Sequence, residues 1–335
     1  MIVQMKKNAT KSQVSNLVSF LKEKGFSVKD VSSIDVKIFG VIGDTKSINT
    51  SHLEAFEGVY KVVRVQKPYK LASRDFKAEN TIIKIKEDIY VGDGSFQIIA
   101  GPCSVEDINT MEQIAENLVK NNVKMIRGGA FKPRTSPYSF QGLGLEGLKI
   151  LKEVSIKYNL AVVTEIISPT QIEVLEEYVD IYQVGTRNMQ NYALLEALGK
   201  QTKKPVIIKR GMSATIEEWL LSAEYVLNGG NPNVILCERG IRTFEKYTRN
   251  TLDIAAVLAV KELSHLPVIV DPSHASGKYE MIEKLSLASY VVGADGVIIE
   301  IHPNPERAYS DGAQSLKLSK FDSLVKQTNK IKSVF

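Results

Sequence analysis

Residues able to do chemistry recur in this 335-residue chain where short apolar runs end. Cys103 stands behind Gly101-Pro102, directly after the run FQIIA. Glycine and proline fix the backbone of such a turn, whereas a cysteine that only fills a core is expected inside the run. Other runs end at or lead to His274, Glu300 and Asp311. One thiolate, one imidazole and two carboxylates suit a divalent metal such as Mn, Fe, Co or Zn, so these residues predict a metal site.

Cations form a second set at the same kind of position. They are Arg127, Lys132, Arg134, Arg187, Lys209 and Arg239. So many positive charges at one place would repel each other unless anions bind there. Arginine forks match phosphate and carboxylate groups, and lysine adds a point charge. Thr135 and Ser136 can add hydroxyl and backbone donors to a phosphate. The two sets together predict a metal beside two phosphorylated or carboxylated ligands.

Several of these residues also have a structural interpretation. Cys103 alone could be a small buried hydrophobic residue, and the other three candidate ligands are what favour metal binding. Cys237 lies inside an apolar run, which favours a core position. His265, in the turn ELSHLP, is expected to be a surface or capping histidine, and His52 a structural one. His302 could orient a ligand or only satisfy its loop.

Two acidic residues at the ends of apolar runs are expected to support the site. Glu165 either positions a water or a lysine, or pairs with a nearby arginine. Asp271 is expected to accept a hydrogen bond from a ligating residue or to anchor its loop.

Eight strand-like runs follow residue 81, each with a helical pattern behind it. They are FQIIA (96–100), VKMIR (123–127), AVVTE (161–165), DIYQV (180–184), PVIIK (205–209), NVILC (233–237), PVIVD (267–271) and GVIIE (296–300). They are β-branched and almost continuously apolar, which is typical of parallel strands buried on both faces. Eight such units predict an α/β protein with a (β/α)8 TIM barrel, whose C-terminal mouth would gather all the candidate residues. An open doubly wound sheet is the alternative, but no GxGxxG turn follows the first strand.

A smaller unit precedes the barrel. Residues 1–68 read as βαββαβ, the order of a ferredoxin-like domain. Residues 69–80 are polar and rich in turn formers and are expected to be a linker. Residues 81–335 then form the barrel domain, which opens with a hairpin made by TIIKIK and DIYVGD.

Composition excludes several classes of protein. Only two cysteines occur, which argues against a disulfide scaffold and favours a cytoplasmic location. The apolar runs are too short for a membrane helix, and the first residues lack the apolar stretch of a signal peptide. The net charge of +5 is mild and no basic stripe with interleaved aromatic residues occurs, so nucleic acid is not an expected partner.

Several long motifs in this order resemble those of 3-deoxy-D-arabino-heptulosonate 7-phosphate (DAHP) synthases, in the subgroup with a short ferredoxin-like N-terminal domain. They are GPCSVED, IRGGAFKPRTSPYSFQG, VGTRNMQN, IIKRG, CERGIRTFE, DPSHASG and IEIHPNPERAYSDGAQSL, which lie between residues 100 and 316. The resemblance implies a metal-dependent condensation of phosphoenolpyruvate with erythrose 4-phosphate and water. The products would be DAHP and phosphate, in the first step of the shikimate pathway toward aromatic amino acids.

The resemblance also implies roles for particular residues. The metal ligands would be Cys103, His274, Glu300 and Asp311. The phosphoenolpyruvate clamp would be Arg127, Lys132, Arg187, Lys209 and Arg239. The cradle for erythrose 4-phosphate would be Arg134, Thr135 and Ser136. Lys132, Cys103 and His274 would act in the chemistry itself.

Two alternatives and a regulatory role accompany this resemblance. A 3-deoxy-D-manno-octulosonate 8-phosphate synthase would use arabinose 5-phosphate, but its loop typically has Ala-Asn where this chain has KPRT. A catalytically silent sensor of aromatic amino acids would not need four metal ligands. The resemblance implies a homotetramer whose small domain binds tyrosine or phenylalanine and inhibits the enzyme. The sequence leaves the native metal and the inhibitor open.

Overall fold

The computed structural model describes the chain except residues 33–35, 46–47, 65–66, 135 and 334–335. The chain divides into two compact units, Met1–Glu79 and Asn80–Phe335. Among the described residues, no helix is both long enough and apolar enough to cross a membrane.

The first unit has the predicted ferredoxin-like order. Its elements are β1 (Ile2–Met5), α1 (Lys11–Glu23), β2 (Ser27–Asp30), β3 (Ile38–Ile42), α2 (Thr50–Glu54) and β4 (Val59–Val63). The strands pair antiparallel in the order β2-β3-β1-β4. Thr10 and Gln13 form a capping box at the start of α1, which satisfies backbone donors that a helix otherwise leaves unpaired. Leu17 and Leu21 of α1 are fully buried in the core of this unit.

The segment expected to be a linker carries buried side chains. Tyr69, Leu71 and Phe76 are each less than a tenth exposed. A Cβ added to Gly40 would lie 1.8 Å from the ring of Phe76, so glycine lets this ring pack directly on β3. The boundaries of the linker stay a prediction.

The second unit alternates strands and helices after an opening hairpin. Its strands are β5 (Ile83–Lys86), β6 (Ile89–Val91), β7 (Gln97–Gly101), β8 (Met125–Arg127), β9 (Ala161–Ile166), β10 (Ile181–Val184), β11 (Val206–Lys209), β12 (Val234–Glu238), β13 (Val268–Val270) and β14 (Gly296–Glu300). Its helices are α3 (Ile108–Lys120), α4 (Leu145–Tyr158), α5 (Ile172–Glu176), α6 (Tyr192–Gln201), α7 (Ile216–Asn228), α8 (Ala255–Leu263), α9 (Pro272–Ser276), α10 (Tyr279–Val291) and α11 (Leu318–Lys332).

The eight strands from β7 to β14 close into a parallel barrel. The last strand bonds to the first, with Gly296 opposite Gln97 and Glu300 opposite Gly101. This closure confirms the predicted (β/α)8 barrel and excludes an open sheet. The barrel interior is a cluster of buried aliphatic side chains, and Cys237 packs within it as expected.

Six of the eight predicted barrel strands begin one or two residues later than expected, and two of these shifts fall on a proline, Pro205 or Pro267. Proline has no N–H to give to a strand ladder, although its carbonyl can still accept. The Pro205 oxygen accepts from the Tyr182 N–H and the Pro267 oxygen from the Leu236 N–H, both at 2.9 Å. Each proline thus lies at the edge of the ladder and not within it.

The surface position expected for His265 is wrong. Its side chain is buried, and its ring Nδ1 lies 2.7 Å from the hydroxyl of Thr81. The backbone N–H of Thr81 also donates to the carbonyl of His265 at 2.8 Å. His265 therefore ties the approach to the opening hairpin to the loop before β13.

Candidate active site

A pocket of about 310 Å³ opens at the C-terminal ends of the barrel strands. The residues predicted from the sequence that line it are Arg127, Lys132, Arg134, Ser136, Glu165, Arg187, Lys209, Arg239, His274 and Asp311. Cys103 and Glu300 are buried and contact members of this lining. The parallel strands thus bring together residues that are far apart in the sequence.

Cys103, Glu300 and Asp311 form a compact group of potential ligands. Their ligand atoms lie within 4.8 Å of one another, and the Cys103 thiol donates to Asp311 Oδ2 at 3.1 Å. Gly101 allows this arrangement, because a Cβ there would lie 1.9 Å from the carbonyl oxygen of Arg127. Asp311 has a left-handed backbone, with φ of 54°, which aspartate tolerates better than most residues.

His274 lies beside this group, in the short helix α9. The carboxylate of Asp271 caps this helix, accepting from the His274 N–H at 2.9 Å and from its ring Nδ1 at 2.7 Å. The opposite ring nitrogen, Nε2, lies 3.5 Å from Glu300 Oε1. Burial lowers the pKa of His274, although Asp271 and Glu300 oppose that effect. A neutral imidazole with its proton on Nδ1 leaves the Nε2 lone pair available to a metal.

The thiol and the carboxylate of this group have opposite pKa shifts. Burial and the charge of Glu300 raise the pKa of Cys103 to about 11, against the opposing charge of Lys132. Burial also disfavours the charge of Glu300, but positive charge on His274 and Arg127 outweighs it and lowers the pKa to about 2. Glu300 is therefore ionised at neutral pH, whereas Cys103 keeps its proton.

The donor chemistry of these residues fits a divalent metal. Sulfur, imidazole nitrogen and carboxylate oxygen together are typical of sites for Zn, Fe, Co or Mn. Asp271 holds His274 through Nδ1, as the partner of a ligating histidine commonly does. The thiol of Cys103 must lose its proton before it can ligate.

Three of the pocket's cations are held by groups in its wall. Arg127 Nη1 pairs with Glu300 Oε1 at 2.6 Å, with both side chains buried. Lys132 Nζ donates to the Cys103 carbonyl at 2.9 Å, and Lys209 pairs with Asp271. These contacts fix positive charge at the inner end of the pocket.

Arg239 has two guanidinium nitrogens without a partner, whereas Arg127 has one, its Nε, and pairs with Glu300 through Nη1. Arg239 is only 4% exposed, yet its Nε and Nη1 have no hydrogen-bond partner among the described residues. Its neighbours in sequence are fixed, since Glu238 pairs with Arg210 at 3.1 Å and accepts from the Gly240 N–H at 2.6 Å. A buried donor without a partner is costly, and in a pocket it points to an anionic ligand.

The loop after β8 carries the residues expected to hold a second phosphate. Arg134 Nε donates to the Phe140 carbonyl at 2.9 Å. Arg187, which the resemblance assigns to the other substrate, donates from Nη1 to the Pro133 carbonyl of this loop at 2.7 Å. Thr135 lies outside the described residues. Ser136 lines the pocket.

Glu165 and His302 differ in their relation to the pocket. Glu165 lines it, and a Cβ at Gly185 would lie 2.0 Å from Glu165 Oε1, so glycine makes room for this carboxylate. His302 contacts two loops: its Nε2 lies 3.3 Å from Glu106 in the loop after β7, and its Nδ1 accepts from the Asn304 N–H of its own loop at 3.0 Å. This geometry corresponds to the loop-satisfying alternative.

Comparisons with known proteins identify the family. The family model described as DAHP synthetase I family matches residues 80–334, and that of the DAHP synthase ferredoxin-like domain matches residues 1–67. The chain is also 48% identical over 331 residues to phospho-2-dehydro-3-deoxyheptonate aldolase of Thermotoga maritima, over 99% of this chain and 97% of that protein. The chain belongs to the DAHP synthetase I family. It is therefore an enzyme, a DAHP synthase of the transferase class, and the resemblance seen in its motifs is confirmed.

Solved structures agree with this membership. The crystal structure of the DAHP synthase of Thermotoga maritima matches with a TM-score of 0.79 and 47% identity, over 99% of this chain and 97% of that one. A truncated form of the same enzyme matches with a TM-score of 0.74 and 48% identity, over 79% of this chain and 96% of that one. A 2-dehydro-3-deoxyphosphooctonate aldolase of Syntrophotalea carbinolica is 31% identical over 270 residues, which are 75% of this chain and 96% of that protein.

Arg249 and Gln314, at and beside this pocket, were not among the residues that the sequence singled out. Arg249 lines the pocket from the irregular segment between β12 and α8. Gln314, buried in the loop after β14, donates to Glu300 Oε2 at 2.7 Å. Neither residue ends an apolar run, so the pattern that found the other site residues could not find these two.

Proposed function

We propose that this enzyme condenses phosphoenolpyruvate with erythrose 4-phosphate and water, giving DAHP and inorganic phosphate. This reaction would be the first step of the shikimate pathway. Family membership supports the type of reaction, and the pocket supports its anionic substrates. The observation that carries the proposal is the buried guanidinium of Arg239, whose Nε and Nη1 are unpaired at a pocket lined by further cations.

The cations divide into two groups, one for each substrate. The first group would bind the carboxylate and phosphate of phosphoenolpyruvate. Its members are Arg127, Lys132, Arg187, Lys209 and Arg239. The loop after β8 would bind the phosphate of erythrose 4-phosphate through Arg134, Thr135 and Ser136. Charge-assisted bonds to both substrates hold the reacting carbons together, which lowers the entropic cost of reaction.

A divalent metal would be held by Cys103, His274, Glu300 and Asp311. Bound there, it would supply Lewis-acid polarisation of the aldehyde oxygen. The ligand set accommodates Mn, Fe, Co or Zn and does not select among them. Support comes from the grouping of Cys103, Glu300 and Asp311 and from the position of His274 Nε2, 3.5 Å from Glu300 Oε1.

The pocket's own side chains would stabilise the charges that develop as the two substrates react. C3 of phosphoenolpyruvate forms a bond with the aldehyde carbon, water adds at C2, and phosphate leaves by cleavage of the C–O bond. Lys132, in the wall of the pocket, would place its ammonium near the aldehyde oxygen as negative charge develops there. Arg239 and Lys209 would stabilise the departing phosphate, because positive charges already fixed in a pocket stabilise a developing anion better than mobile water does.

We also propose that the ferredoxin-like unit regulates this activity. It would bind tyrosine or phenylalanine in a homotetramer and thereby inhibit the barrel enzyme. The match of residues 1–67 to the DAHP synthase ferredoxin-like domain supports the unit's link to this enzyme family.

The proposed location of the protein is the cytoplasm, which agrees with the free thiols of Cys103 and Cys237.

The direct test of the proposed reaction is product analysis. Metal-loaded enzyme supplied with both substrates should release one phosphate for each DAHP formed, as measured by phosphate assay and mass spectrometry. An octulosonate product from arabinose 5-phosphate alone would replace this proposal with the related synthase. Folded, metal-loaded protein without turnover would favour the silent sensor.

A further inference from the structure

Arg249 is a pocket residue to which the proposed reaction assigns no role. It lines the pocket from the segment between β12 and α8, and its side chain is 40% exposed. Exposed arginines usually move freely and pair weakly. The surroundings of Arg249 are different, because both its backbone and the tip of its side chain are held.

The backbone at Arg249 is tied to the segment that follows His274. The Arg249 N–H donates to the Ser276 carbonyl at 2.9 Å, and the Asn250 N–H donates to the Ala275 carbonyl at 2.8 Å. Gly277 permits this approach, because a Cβ there would lie 2.6 Å from Arg249 Cβ. The residue is therefore anchored to the loop that carries a candidate metal ligand.

The tip of the side chain is held by Gln314. Arg249 Nη1 donates to Gln314 Oε1 at 2.8 Å and lies 3.4 Å from Asp311 Oδ1. Gln314 is only 2% exposed, and its amide nitrogen donates to Glu300 Oε2 at 2.7 Å. The buried amide of Gln314 thus joins Arg249 to Glu300. Its oxygen accepts from Arg249 and its nitrogen donates to Glu300.

Arg249 also lies close enough to Arg239 to affect it electrostatically. Burial lowers the pKa of Arg239, and the charge of Arg249 lowers it further, while Asp271 opposes both effects. The fold therefore keeps two guanidinium groups near each other although the buried one has donors without partners. An anion that contacted both groups would satisfy these donors and offset the repulsion.

We propose that Arg249 binds the same phosphate group as Arg239, and that Gln314 is a positioning residue that aims Arg249 at it. This inference rests on the proposed function for the identity of the phosphate esters. The phosphate is that of phosphoenolpyruvate, the substrate that the proposed function assigns to Arg239. Gln314 engages Nη1 of Arg249, so the phosphate would bind through the other N–H groups of this guanidinium.

The test uses the full-length, Mn²⁺-loaded enzyme and inorganic phosphate as the probe. Calorimetry should show that Arg249→Gln weakens phosphate binding about tenfold, as expected for loss of one charge-assisted bond. Arg249→Lys should lie between the wild type and Arg249→Gln, because lysine keeps the charge without the fork. Arg242→Gln is the matched control, since Arg242 is an exposed arginine of the same segment that does not line the pocket.

Gln314→Met tests the positioning role. It should weaken phosphate binding, and it should add nothing when Arg249→Gln is already present, because both changes remove one interaction. A merely structural effect of Gln314 would be additive instead. Substrate kinetics test the assignment of the phosphate: in Arg249→Gln, KM should rise for phosphoenolpyruvate, with kcat and the KM for erythrose 4-phosphate changed less.

The outcomes separate this inference from the proposed function. Phosphate binding that depends on Arg249, in a wild type that makes no DAHP, would support the inference and reject the function. A wild type that makes DAHP, with an Arg249→Gln variant that binds phosphate and both substrates as Arg242→Gln does, would overturn the inference alone. Thermal unfolding of each variant identifies a folding defect. If Arg249→Gln has one, the phosphate affinity of Arg249→Lys decides whether Arg249 binds the phosphate.

Discussion

Lys132 and Cys103 contact each other in the wall of the pocket, with Nζ at 3.1 Å from the sulfur and 2.9 Å from the carbonyl oxygen of the same cysteine. An adjacent ammonium favours a thiolate. Burial and the charge of Glu300 nevertheless dominate, and they raise the pKa of Cys103 to about 11. The candidate metal site therefore contains a protonated thiol at neutral pH.

Metal binding should release the proton of Cys103. Because only the thiolate ligates, affinity for Zn²⁺ should rise about tenfold per pH unit from about pH 6 to about pH 9. Competition titrations with a chromogenic chelator measure this slope. Cys103→Ser should lose the slope and most of the affinity, whereas Cys237→Ala, which changes a cysteine in the barrel core, should keep both. A flat pH dependence in the wild type would argue against ligation by Cys103.

Glu300 should make the barrel unit sensitive to acid. Its pKa is about 2 in the folded protein against an ordinary value of 4.5, so its contribution to stability is complete above about pH 4.5 and is lost as pH falls toward 2. The contribution is on the order of 3 kcal/mol. In urea unfolding, the free energy of unfolding of the wild type should therefore fall as pH drops from about 4.5 toward 2. For Glu300→Gln this free energy should fall less steeply with pH. An equal pH dependence in the two proteins would contradict the role of this carboxylate.

Replacing Arg239 by lysine should damage the reaction although it keeps the charge. A lysine cannot offer the two unpaired guanidinium donors, so kcat/KM for phosphoenolpyruvate should fall on the order of a hundredfold. Steady-state kinetics with phosphoenolpyruvate as the varied substrate measure the effect. Arg307→Lys, at an exposed arginine, is the control and should behave as the wild type. Equal kcat/KM values for the two variants would show that Arg239 does not bind phosphoenolpyruvate.

Removal of residues 1–68 should separate catalysis from regulation. The solved truncated form of the Thermotoga maritima enzyme matches 79% of this chain, which supports a barrel unit that folds without the small one. The shortened enzyme should retain turnover and lose inhibition by tyrosine or phenylalanine. Inhibition curves of the two forms, measured side by side, provide the comparison. Full inhibition of the shortened form would place the effector site in the barrel unit.

The fold could be predicted from the sequence because buried parallel strands have a strong local pattern. Each of the eight apolar runs became a barrel strand, and the ends of those runs located the pocket. Six strands begin one or two residues later than predicted, and at Pro205 and Pro267 the missing backbone donor of proline accounts for the shift. His265 was misplaced because its partner, Thr81, is distant in the sequence and belongs to no shared pattern.

The site was less completely predictable. Arg249 and Gln314 lie in irregular segments, where neither periodicity nor an apolar run identifies which side chains turn inward. Their roles depend on contacts between loops, such as that of Arg249 with Ser276, which only the folded backbone defines. The unpaired donors of Arg239 are likewise a property of packing and not of residue type.

Phosphate release from phosphoenolpyruvate tests the central claim most directly. The assay is run with Mn²⁺ and either erythrose 4-phosphate or arabinose 5-phosphate, and is repeated with EDTA. The account predicts release with erythrose 4-phosphate, loss of that release with EDTA, and little release with arabinose 5-phosphate. Release with arabinose 5-phosphate alone, or no release from folded and metal-loaded enzyme with either sugar, would contradict it.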